Sequence, residues 1–89
     1  MADYMTFSLN QQEAGSVVEV KLHGVESDVF LVDPSNLSSF KRGASFRYTG
    51  GHFKQSPVRL QVPSDGNWSA VVVPIGGRVE ASVSILPNK

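Results

Sequence analysis

The chain contains no cysteine. That excludes a disulfide framework, a cysteine-based zinc site and thiol chemistry together. Small secreted domains usually lean on such staples, so the absence points to a reducing, cytoplasmic setting. The first residues, "MADYMTFSLNQQE", have neither a basic leader nor the apolar stretch that follows one. No apolar run approaches the ~20 residues that a membrane-crossing helix requires. Catalytic signatures are missing too: there is no G-x-S-x-G elbow, no P-loop, and no G-x-G-x-x-G between a strand and a helix. His23 and His52 are the only imidazoles, too few for a zinc site in a chain without thiols. No metal and no cofactor is expected.

One absence is local. Residues 34–64 contain Lys41, Arg42, Arg47, Lys54 and Arg59 and not a single acid, whereas residues 1–33 hold Asp3, Glu13, Glu19, Glu26, Asp28 and Asp33 against Lys21 alone. The formal net charge of zero therefore hides a segregation of −5 against +5. Such a split yields either two halves that pair with each other or a two-faced surface, and self-complementary charge also invites a homodimer.

What is present is strand pattern. The stretch "SVVEVKLHG" sets Val18, Val20 and Leu22 on one face and Glu19, Lys21 and His23 on the other. "DVFLVD" is apolar on both faces, as a strand covered on both sides would be. "PVRLQVP" alternates Val58, Leu60 and Val62 with Arg59 and Gln61, and "NWSAVVVP" places Trp68, Ala70 and Val72 together. "RVEASVSIL" turns Val79, Ala81, Val83 and Ile85 inward, while "YMTFSL" and "SFRYTG" are weaker strand candidates. Short glycine-containing links at 63–67 and 74–77 suggest that 58–62, 68–73 and 78–86 run as an antiparallel meander. Asp33 followed by Pro34 reads as an N-cap and first helical position, with room for one or two turns before Gly43. The fold class that follows is all-β: a single antiparallel β-sandwich of about seven strands over residues 1–89, with one short helix near residues 34–40.

An ordered series of short motifs runs through the chain. It comprises Leu31-x-Asp33-x-Ser35-Asn36, an aromatic at Phe40, Gly43, Tyr48-x-Gly50-Gly51, Ser56-Pro57, Val62-Pro63 and Gly66-x-Trp68. In this order the series resembles a bacterial family catalogued as domain of unknown function number eighteen eighty-three. The resemblance implies a β-sandwich and carries no activity, so no catalytic residue transfers with it.

The functional expectation rests on residues 39–59, where basic and aromatic side chains interleave. If "SFRYTG" is a strand, Phe46 and Tyr48 share an inward face and Arg47 points outward, as does Arg59 between Val58 and Leu60. Stacking on nucleic acid needs rings and cations on one face, and the zero net charge also disfavours it. The reading is a non-catalytic binding or protein-interaction module. Its candidate partner-binding residues are Lys41, Arg42, Arg47, His52, Lys54 and Arg59, and its partner is a protein or acidic ligand, the acidic face of a second copy included. A small enzyme is the alternative and anion or nucleic-acid binding the third. Gly50-Gly51 is expected to form a hairpin turn or bulge, Asp33 to cap the helix, and Trp68 to pack in the core.

Overall fold

The computed structural model describes residues 4–86. Asp3, counted above in the acidic segment, lies outside them. Seven strands and one helix follow in the order β1 (Met5–Gln12), β2 (Val17–Gly24), β3 (Ser27–Val32), α1 (Pro34–Lys41), β4 (Thr49–Phe53), β5 (Val58–Gln61), β6 (Gly66–Pro74) and β7 (Val79–Leu86). They form a four-stranded sheet, β1-β6-β3-β4, and a three-stranded sheet, β5-β2-β7. Every pairing is antiparallel.

The alternation read from the sequence is what closes the sandwich. Leu9, Val29, Leu31, Ala70 and Val72 of one sheet meet Val18, Val20, Val58 and Leu60 of the other, together with Val62 just past β5, in a continuous buried core. Trp68 packs half-buried against that core, its indole N–H donating to the carbonyl of Ser64 at 2.9 Å. On the outer face of the three-stranded sheet Lys21 and His23 of β2 are exposed. Glu19 there is buried and held by Arg59, whose Nε and terminal nitrogen lie 3.1 and 3.0 Å from Oε2.

The strand covered on both sides is β3. Val29 and Leu31 enter the sandwich core, while Phe30 and Val32 join Val71 in a second cluster on the outer face of the four-stranded sheet. Leu37, Phe40, Phe46 and Val73 pack over that cluster. The helix therefore lies on the sheet as a partial third layer, and the outer face keeps its apolar side chains for that reason.

Three local expectations are corrected. Strands β5, β6 and β7 do not form a meander: β5 and β7 both pair with β2, whereas β6 pairs with β1 and β3 in the opposite sheet. Their short links cross from one layer to the other. Glycine and proline fix that the chain reverses, but the plane of reversal is set by which apolar faces must meet. The strand expected at "SFRYTG" begins only at Thr49, so residues 44–48 are irregular. Finally, Gly50 and Gly51 form neither a turn nor a bulge, but sit inside β4 opposite Phe30 and Val29. A Cβ on Gly50 would stand 2.2 Å from the carbonyl oxygen of Val29, and its φ of +146° already favours glycine there.

Candidate binding surface

Two polar side chains, Asp33 and Asn36, pin the segment that roofs the outer face. Asp33 Oδ1 accepts from the backbone N–H of Asn36 at 2.8 Å and from the Asn36 amide at 2.9 Å. This N-cap satisfies an otherwise orphaned donor in the first turn of α1. The other end of the same amide, Asn36 Oδ1, accepts from the backbone N–H of Arg47 at 2.8 Å. Helix start and loop are thus tied through one asparagine. At the helix end, Gly43 takes a left-handed φ of +75° and its N–H bonds to the Phe40 carbonyl at 3.1 Å, which turns the chain back over the sheet.

The result is an aromatic trough. Phe30 forms its floor, with ring centroids 5.5 Å from Phe40, 5.5 Å from Phe46 and 5.3 Å from Tyr48. Tyr4 adds an edge contact to Phe40 at 4.9 Å. Phe30 is 5% exposed, but Tyr48 at the rim is 55% exposed, so a ring surface is offered to solvent. The hollow has a volume of about 520 Å³, and Asp28 and His52 line it beside the rings. Because position 50 carries no side chain, nothing of β4 stands on the sheet face between Tyr48 and His52.

The expected inward placement of Phe46 and Tyr48 is therefore wrong in its direction. Both rings lie outside the sandwich, on the sheet's outer face. Parity along a strand does not apply to an irregular segment, and the second apolar cluster supplies the surface they cover.

His52 also sits in surroundings opposite to its sequence neighbours. Its Nδ1 is 2.9 Å from Asp28 Oδ1 and its Nε2 is 3.2 Å from Glu26 Oε2. Only the imidazolium donates at both nitrogens. The hydrogen bond to Asp28 and then that to Glu26 raise its pKa above the ordinary 6.5. With both ring nitrogens held by carboxylates, neither is free to activate a nucleophile or bind a metal. No group of three or more histidine or acidic residues suited to a metal ion occurs among the described residues.

The candidate cations do not form one patch. Arg59 lies in the other sheet, engaged by Glu19, and His52 is engaged by its two acids. Lys41 and Arg42 close the helix, Arg47 lies between Phe46 and Tyr48, and Lys54 follows β4; all four are exposed and make no ion pair among the described residues. A second hollow of about 610 Å³ opens near Tyr4, His23, Arg78 and Glu80. Its charged side chains make no hydrogen bonds to one another, and it contains no cluster of rings. No helix among the described residues is long and apolar enough to cross a membrane.

The model of the domain of unknown function family DUF1883 matches residues 2–89, and the chain belongs to that family. No curated protein and no solved structure matches it.

Proposed function

We propose that this member of the DUF1883 family is a non-catalytic binding module whose ligand seat is the aromatic trough, and whose ligand is an acidic peptide segment of another protein carrying one aromatic or large aliphatic anchor. The observation that carries the reading is the exposed ring surface of Tyr48 over Phe30, Phe40 and Phe46, with the unpaired cations Lys41, Arg42 and Arg47 in the segments that roof it. Rings of this kind supply hot-spot contacts, and flanking cations supply steering and register. The occupied nitrogens of His52 favour binding over catalysis.

A partner other than a second copy is favoured by how the acids are used. Of the five described acids in the first segment, Glu19 holds Arg59, Glu26 and Asp28 hold His52, and Asp33 caps the helix. Glu13 alone is left for the cations of another copy. A cysteine-free chain of this kind suits the cytoplasm, and a cytoplasmic location belongs to the same reading.

The test uses a synthetic peptide alternating glutamate with threonine about one central phenylalanine, titrated into labelled protein while backbone amide shifts are followed. Shifts confined to β3, α1, residues 43–48 and β4 are expected, weakening with added salt because facing charges are screened over ~8–10 Å. Changing Lys41, Arg42, Arg47 and Lys54 to glutamate should abolish binding and leave the fold intact, since exposed charges contribute only ~0–1 kcal/mol each. Absence of shifts at millimolar peptide, or equal binding by the reversed protein, would overturn the reading.

A further inference from the structure

We infer that the peptide binds as an added strand on the free edge of β4, extending the four-stranded sheet, with alternate side chains falling over the trough. This inference rests on the trough being a binding site and specifies the backbone geometry of the complex.

Strand β4 is the end of its sheet, and its outer edge has no backbone partner among the described residues. Unpaired edges are usually blunted by proline, a bulge, brevity or a projecting charge. The other edges carry such devices or lack a seat. In β1 the register shifts between Ser8 and Asn10, and Asn10 has a φ of +61°. Strand β5 is four residues long and is bracketed by Pro57 and Pro63. Strand β7 presents Glu80, Ser82 and Ser84 on its outer face and exposes Ile85 alone among its large apolar side chains, so a strand laid there meets no cluster of rings. In β4 there is no proline and no bulge, and the one charged side chain, His52, is turned onto Asp28 and Glu26 of the sheet's own side.

Gly51 adds an independent observation. Gly50 is explained by its approach to the backbone of Val29 and Phe30. Gly51 has no such reason: a Cβ there would meet nothing within 4 Å, and its φ lies outside the left-handed range. Glycine weakens a strand, and where the fold does not need it, it marks a place where another backbone comes close. An added strand would lie ~4.7–4.9 Å from β4, with its side chains alternating between the two faces of the sheet. One set falls beside Tyr48 and the trough, the other beside the open space at Gly51. Main-chain bonds then give affinity and the trough gives selectivity, as in other strand-addition complexes.

The experiment compares the same glutamate–threonine–phenylalanine peptide with two N-methylated versions. Each version is methylated at every second amide, on opposite registers. One edge of an added strand faces β4, so one version should bind at least tenfold more weakly and the other within about threefold of the parent. Alternate amides of β4 should also gain hydrogen-exchange protection when the parent peptide is bound. If both methylated versions match the parent, strand addition is overturned while the trough remains a ligand site. If both weaken alike, or no β4 amide gains protection, strand addition is overturned as well. A parent peptide that does not bind overturns the trough reading itself. If sedimentation of the protein alone shows a dimer that buries β4, the edge belongs to a second copy and the inference fails.

Discussion

Replacing Phe30 by alanine tests whether the outer layer is part of the cooperative fold or merely rests on it. Phe30 is 5% exposed and touches three rings at centroid distances of 5.3 to 5.5 Å. Truncating a buried phenylalanine costs ~3–5 kcal/mol, transfer and cavity together. Each well-placed ring pair adds ~0.5–1.5 kcal/mol beyond its area, which places Phe30→Ala in the upper half of that range. A chain of 89 residues is stable by roughly 4–13 kcal/mol at ~0.05–0.15 kcal/mol per residue, so this is a third of the total or more. Phe30→Leu keeps most of the volume and should cost ~1–1.5 kcal/mol. The assay is urea denaturation followed by both Trp68 fluorescence and far-ultraviolet circular dichroism. Trp68 is the chain's one tryptophan and packs in the other cluster, so it reports on the sandwich and not on the trough. The expected result is a lower midpoint at unchanged slope, with the two probes coincident. An alanine variant within about 1 kcal/mol of wild type would contradict the range expected for a buried phenylalanine. The helix and rings would then be a loosely attached cover, and the trough would not be a preformed site.

Trp68→Ala should cost ~3–5 kcal/mol if its packing against the sandwich core is as described, and a melting temperature within a degree or two of wild type would refute that placement. His52 gives a pH dependence whose sign is fixed. Its folded pKa is raised by Asp28 and Glu26, so its contribution to stability is fully present below about pH 6.5 and is lost as pH rises through the folded value. Wild-type protein should lose stability between about pH 6 and pH 9 by a margin that His52→Gln lacks. Denaturation midpoints that fall equally in both proteins over that range would assign the effect to other groups.

The sandwich was legible because its signal is local. In β2, β5 and β6 each inward residue is a valine, leucine, alanine or tryptophan at a spacing of two, and parity alone orients them. The capping role of Asp33 was legible for the same reason, since cap and donor lie three residues apart. Strand partners were not legible, because 63–67 and 74–77 carry turn chemistry that serves a hairpin and a layer crossing equally. The site was half legible. Residues 39–59 do fold over one surface, but the floor of the trough, Phe30, comes from a strand whose sequence reads as core. His52 was misread through its neighbours in the chain: its partners Glu26 and Asp28 lie 26 and 24 positions away, and only the pairing of β3 with β4 brings them together. A pairing of Asp28 with His52 across two adjacent strands leaves no mark in a single sequence.

The alternation of strands between layers bears on how the chain reaches its fold as it is made. Of all consecutive strands, only β3 and β4 are neighbours in one sheet, and they are joined through α1. Strand β1 has β6 as its sole partner, some sixty positions later, and β2 waits for β7 to complete its second edge. A growing polypeptide released as far as β5 can pair β3 with β4 and β2 with β5, yet it has nothing with which to hold its first strand. Until β6 emerges, the outer ring of β3 and the inner valines of β2 have no shared scaffold, so closure of the sandwich waits for residues 66–74. Such long-range closure places the chain among slow-folding topologies, in which apolar strands wait exposed for partners not yet translated.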